Sequence, residues 1–228
     1  MGGWMSKEIV ETPKQQQMGP YTFDQLVKDL HTELRGDRDE HGNVKNEEKM
    51  LKIGRRLLER YMSQEGGWRK YAFGDPKKIK YYRNMVAQGK GWYLLVLVWP
   101  EGLQSAIHGH SNANCFVKML DGELLERRYD TPESLVFEGK PEANGDSAKV
   151  MRLIGENRYT KNNVSYMSDD QGLHSMNNDS NSNEAISLHL YFPAFTQCLC
   201  FDEETSFVHE GTMVWHTVGG VKTEHFGN

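Results

Sequence analysis

IHGHSNANCFVKML, residues 107–120, places two histidines two apart and a cysteine five further on, in a stretch of strand-like composition. On a strand, alternate side chains share a face, so His108 and His110 are expected to point the same way, with ring nitrogens able to converge on one ion. Three readings compete: a zinc clip, the edge of a catalytic metal site, or a polar face with a buried thiol. A lone HxH pair fits two solvated histidines as well as two ligands, so the surrounding pattern has to decide.

Working outward, CFVKML and ELLERRYD flank Asp121-Gly122, a dipeptide favoured in tight hairpins. WYLLVLVWP, ISLHLYFP and TMVWHTV are short runs of branched and aromatic residues bounded by Gly, Pro or Asn, and read as strands. Upstream, Phe23, Leu26, Val27, Leu30 and Leu34 follow helical spacing in YTFDQLVKDLHTEL. A second helix carries Met50, Leu51, Leu57, Leu58 and Tyr61 on one side and is expected to end near Gly66-Gly67. EGKPEANGDSAK and NNDSNSNE read as polar loops, and residues 1–20 as an unstructured leader. Many short strands after two helices predict a mainly β fold, an antiparallel barrel or sandwich with a small helical N-terminal part. We expect one domain over 21–228, with helices over about 21–65 and the barrel over about 80–220.

Composition narrows the function. No apolar run approaches the roughly 20 residues of a membrane span. Twenty-seven basic against 32 acidic residues give a net charge of −5 without a long basic block, which weighs against nucleic acid and for a small-molecule role. Three cysteines, Cys115, Cys198 and Cys200, are too few and too oddly numbered for a disulfide framework. The first twenty residues lack the apolar core of a secretory signal and fit the myristoylation pattern only loosely. A cytoplasmic monomer with no membrane or nucleic-acid partner is the expectation.

Three features favour a metal site over solvated histidines. A third histidine, His174, follows a glycine turn in DDQGLHSMNN. The spacing from Gly102 through His108, His110 and Cys115 to Gly122 is similar to the first motif of the cupin barrels, with cysteine where most cupins carry a glutamate ligand. His174 and Asn178 resemble the second cupin motif, although Asp170 replaces its usual proline and one residue is missing before the histidine. Lastly, Ile186, Leu188 and Leu190 alternate with Ser187, His189 and Tyr191, and in a small barrel the polar face can line the cavity. A closed zinc site would want Cys115 beside three histidines. A facial set of three leaves open positions, as iron–oxygen chemistry requires. With no carboxylate in the HxH segment, a three-histidine site is neutral and favours an anionic ligand such as a thiolate.

These residues resemble the cysteine dioxygenase family over about Tyr21 to Thr217, through KYYRNMV, WPEGLQSAIHGHSNANCFVKMLDGEL, GLHSMNN and SLHLYFPAFTQC. The resemblance implies a cupin-type barrel in which His108, His110 and His174 hold Fe(2+). It also implies a thioether between Cys115 and Tyr191 as a protein-derived cofactor, with Ser187 and His189 bonded in sequence toward that tyrosine. Arg83 matches the arginine that grips the substrate carboxylate, with Tyr81 beside it. The implied activity adds both atoms of O2 to the thiolate of L-cysteine to give cysteine sulfinic acid, a step of cysteine catabolism and taurine biosynthesis. Rival readings are the same chemistry on another small thiol such as 3-mercaptopropionate, whose relatives carry glutamine at the arginine position, and a non-catalytic metal-binding cupin. Tyr82 and Phe192 depart from the family's usual threonine and serine; the family's bond before Pro193 is cis, and an aromatic at 192 is expected to reshape the pocket edge there. Cys198 matches a family cysteine near the site entrance, whereas Cys200 reads as incidental.

Overall fold

The computed structural model describes residues 19–35, 46–75, 80–133, 136–137 and 150–225. Most of the expected leader, the charged segment around His41 and the whole polar loop EGKPEANGDSAK lie outside the described residues.

Two amphipathic helices open the described chain. Thr22 caps α1 (Phe23–Glu33) by accepting the Gln25 N–H, and Asn46 caps α2 (Glu47–Arg60) by accepting the Lys49 N–H. The second helix stops at Arg60, short of the predicted end. Gly66 and Gly67 sit instead inside a separate one-turn helix, α3 (Glu65–Trp68). The break follows from Tyr61, which turns into extended backbone and buries its ring against Phe23.

Fourteen strands follow: β1 (Tyr82–Gly89), β2 (Trp92–Trp99), β3 (Ile107–His108), β4 (Asn114–Asp121), β5 (Glu123–Tyr129), β6 (Val136–Phe137), β7 (Leu153–Thr160), β8 (Val164–Met167), β9 (Leu173–Asn177), β10 (Ala185–Phe192), β11 (Gln197–Phe201), β12 (Phe207–Thr212), β13 (Thr217–Val218) and β14 (Val221–Lys222). They form two seven-stranded sheets, ordered β14-β13-β1-β2-β10-β4-β8 and β6-β12-β11-β3-β9-β5-β7. Pairing is antiparallel except at β1–β13 and β6–β12. The expected mainly β fold is therefore present as two sheets, although no hydrogen-bonded ring closes them into a barrel among the described residues.

The first sheet is covered on both sides. Leu94, Val96, Val98, Phe116, Leu188 and Leu190 pack outward under Leu26, Leu30, Leu57 and Leu58 of the helices. Leu95, Leu97, Trp99, Val117, Met119 and Tyr191 pack inward. That two-sided burial is why WYLLVLVW carries no polar residue at either parity. Each such leucine contributes about 1.5–3 kcal/mol by leaving water.

Two expectations fail here for the same reason, that a local pattern does not report which sheet a strand joins. CFVKML and ELLERRYD do form β4 and β5, yet they are not a hairpin: β4 pairs with β8 and β10, whereas β5 pairs with β7 and β9. Asp121-Gly122 is the corner that carries the chain between sheets. Gly122 has φ 67°, and a Cβ there would lie 2.9 Å from the Glu184 carbonyl oxygen, so no other residue fits without strain. TMVWHTV, likewise, is not one strand. The chain leaves β12 at Thr212 and resumes only at Thr217, because His216 bonds to β1 through its N–H to the Arg83 carbonyl and its Nδ1 to the Arg83 N–H.

Candidate active site

The HxH segment is strand only through His108; His110 lies in the turn that follows. His108 stands opposite His174 of β9 on one side and Cys200 of β11 on the other, so register brings the first and third histidines together. His110 reaches them because Asp169 clamps the turn, accepting the His110 N–H (2.6 Å) and the Asn112 N–H (2.7 Å). Ser111 and Asn112 both have positive φ (51° and 61°), a costly backbone that this clamp holds. Before β9, Gly172 (φ 93°) leaves room for the Tyr129 carbonyl oxygen, 2.5 Å from where a Cβ would sit.

The three imidazoles form a tight triangle, with centroids 4.8, 4.8 and 5.3 Å apart and a potential ligand atom from each within 4.8 Å of the others. His108 Nδ1 faces the Ala106 carbonyl oxygen (2.9 Å) and His174 Nδ1 faces Glu126 Oε1 (2.9 Å), leaving Nε2 of each as the free ligand atom. Neither ring nitrogen of His110 has a hydrogen-bond partner although both are buried. Burial, reinforced by the neighbouring His174, pushes His108 down to about 3 and His110 well below the ordinary range. Converging ring nitrogens, two of them buried without a partner on His110, are what a divalent ion requires, so these residues fit a bound metal. Cys115 is not part of the group, which removes the closed zinc set.

A cavity of about 80 Å³ opens beside the triangle, lined by His108, His174, Arg83, Tyr81, Tyr191 and Cys198 among others. That is space for a few waters and suits only a small substrate. Arg83 donates through Nη2 to the Tyr81 hydroxyl, and its guanidinium carbon stands 4.6 Å from the centre of the Tyr81 ring. Tyr81 in turn stacks on Trp99 (4.4 Å, 15°).

On β10, the inward face forms a chain. Trp99 Nε1 donates to Ser187 Oγ (2.8 Å), Ser187 Oγ meets His189 Nε2 (2.8 Å), and His189 Nδ1 meets the Tyr191 hydroxyl (3.2 Å). Burial holds His189 well below its usual range, so the ring is neutral. Tyr191 stands in register with Cys115 of β4. Burial raises both, the Cys115 thiol and the Tyr191 phenol, and both stay protonated.

The structure groups His108, His110 and His174, places Arg83, Tyr81, His189 and Tyr191 around the cavity, and joins Ser187 to His189 by a hydrogen bond and Cys115 to Tyr191 by register. Cys200 is not incidental, since it lines the cavity with Cys198. Tyr82 and Phe192 do not shape the cavity: both are buried in the outer core, Phe192 against Phe116 and before a cis bond to Pro193. Four supports escaped sequence reasoning: Trp99, Glu126, Asp169 and His216. Only Glu126 left a trace, a carboxylate at the same parity as the core residue Leu124. Burial raises Glu126, but the hydrogen bond from His174 and the charge of Arg128 outweigh it and hold the carboxylate below its ordinary range.

The family described as "Cysteine dioxygenase type I" matches residues 15–204. "Cysteine dioxygenase type 1" of Danio rerio is 32% identical over 209 residues, covering 91% of this chain and 92% of that protein. The proteins of the same description from Homo sapiens and Rattus norvegicus are each 35% identical over 205 residues, covering 90% of both chains.

Proposed function

Because the chain belongs to the cysteine dioxygenase family, we propose that it is an iron(II)-dependent enzyme that adds both atoms of O2 to the thiolate of L-cysteine, giving cysteine sulfinic acid. The observation that carries this reading is the facing of Arg83 and of His108 and His174 across one small cavity, with His110 completing the histidine group beside it. His108, His110 and His174 would hold the iron, which would supply the redox chemistry between thiolate and dioxygen. The protein's own part is positioning. Arg83, backed by Tyr81, forks onto the substrate carboxylate with two charge-assisted bonds, which fixes the sulfur end toward the histidines.

The β10 chain sets the proton on Tyr191. An indole only donates, so Ser187 is free to give its proton to His189 Nε2. The remaining ring proton then sits on Nδ1 and is donated to the Tyr191 oxygen, which leaves the phenolic proton directed to the cavity. Cys115 facing Tyr191 supports a thioether between them, formed by loss of one thiol and one ring hydrogen with O2 as acceptor. The three cysteines stand as free thiols, in keeping with a cytoplasmic setting.

Oxygen uptake by iron-loaded protein with L-cysteine, with product identified as the sulfinate, tests the reaction. No uptake, or a kcat/KM higher on 3-mercaptopropionate than on L-cysteine, overturns it. An Arg83→Gln variant should lose about 1.5–3 kcal/mol of kcat/KM on cysteine, the worth of hydrogen bonds to a charged group. Mass analysis of the Cys115–Tyr191 peptides should show the loss of two hydrogens after turnover.

A further inference from the structure

We infer that Glu126 is a positioning residue for the metal centre, acting through His174; this rests on His108, His110 and His174 being the iron ligands. Glu126 is wholly buried on β5, one strand away from the histidine it touches. Its Oε1 lies 2.9 Å from His174 Nδ1. Its other oxygen accepts from Arg128 Nε (2.9 Å) and from the Tyr159 hydroxyl (3.2 Å). Arg128 is itself held, donating to Gln171 Oε1 (2.8 Å) and to the Tyr166 carbonyl oxygen (3.1 Å). The carboxylate is thus fixed at both ends before any ion arrives.

An ionised carboxylate only accepts, so the Glu126 contact places the His174 proton on Nδ1 and leaves Nε2 bare toward the other two rings. A negative charge behind the ring also strengthens that nitrogen as a ligand. The three ligands are held in three different ways. A backbone carbonyl orients His108, Asp169 holds the His110 backbone, and a removable side chain orients the His174 ring. The rival account is that Glu126 merely neutralises the buried side of Arg128.

Iron(II) affinity measured anaerobically by chelator competition, beside the melting temperature of the metal-free protein, separates the two. Glu126→Leu, which has no acceptor, should bind iron about 10–100-fold more weakly. Glu126→Gln, which keeps an acceptor oxygen, should recover part of that loss. Arg127→Ala, on the same strand but paired with the exposed Glu156, should bind like the wild type. Equal affinity in the wild type and Glu126→Leu overturns the inference, as does a glutamine variant as weak as the leucine one. Independently of any variant, nitrogen-15 NMR of the metal-free wild type should show the His174 proton on Nδ1; a proton on Nε2 overturns it. A wild-type chain with no stoichiometric iron site would instead bring down the functional reading, and this inference with it.

Discussion

The two faces of β10 occupy one strand and are equally buried, yet they obey opposite rules. Ile186, Leu188 and Leu190 lie under the helices among apolar neighbours, where shape and area decide everything. Ser187, His189 and Tyr191 lie against the cavity, where each polar atom is joined to the next and the line begins at Trp99. Burial alone therefore separates neither core from site nor stability from chemistry. Chained polar groups on a buried face mark the working side, because leaving any one of them unpaired would cost about 1–3 kcal/mol.

Leu188→Ala should show the largest effect, on stability alone. Its cavity should cost about 2–5 kcal/mol, or roughly 2–4 °C of melting temperature per kcal/mol in a chain of this size. Iron affinity should stay at the wild-type level; a matching fall would mean that the faces are not independent. Ser187→Ala one residue earlier should cost about 1–3 kcal/mol, since it strands Trp99 Nε1 and His189 Nε2. Here kcat should fall while KM for cysteine holds, because the substrate grip is proposed to lie at Arg83. Steady-state kinetics with an unchanged kcat would detach the chain from turnover.

The smallest effect concerns His216, where the two environments meet at the end of β1. Its ring lies edge-on to Tyr82 of the outer core (4.9 Å), and its Nδ1 accepts the backbone N–H of Arg83. Burial, then the charge of Lys80, hold it down to about 4 from 6.5, against an opposing contribution from the Arg83 backbone hydrogen bond. A lowered folded-state value means the unfolded chain binds the proton more readily. The stabilisation is therefore complete above about pH 6.5 and is lost as pH falls toward 4. Urea midpoints across that window should drop further for the wild type than for His216→Gln; parallel curves would remove His216 from the account.

Much of this was legible along the chain. The alternation in ISLHLYF announced two faces because a strand repeats every two residues, and both faces are where the pattern put them. The HxH pair and His174 were legible as unusual residue types at constrained spacings, whereas Arg83 was legible only through the resemblance to the family. The hairpin expectation at Asp121-Gly122 failed because a glycine with positive φ serves a turn within one sheet and a corner between two equally well. TMVWHTV failed because a histidine side chain took over backbone bonding, which no local propensity reports.

Sequence by itself determined the helical cover and the strand composition, since periodicity and residue type are local properties. Only the tertiary structure decided that His174 meets His108 across a register pair, that Asp169 holds the His110 turn, that Trp99 donates to Ser187, and that Glu126 stands behind His174. Those contacts join residues 48 to 88 positions apart wherever a side chain is the partner. Pairings at that distance are fixed by which strands become neighbours, and a single chain read in order carries no signal for them.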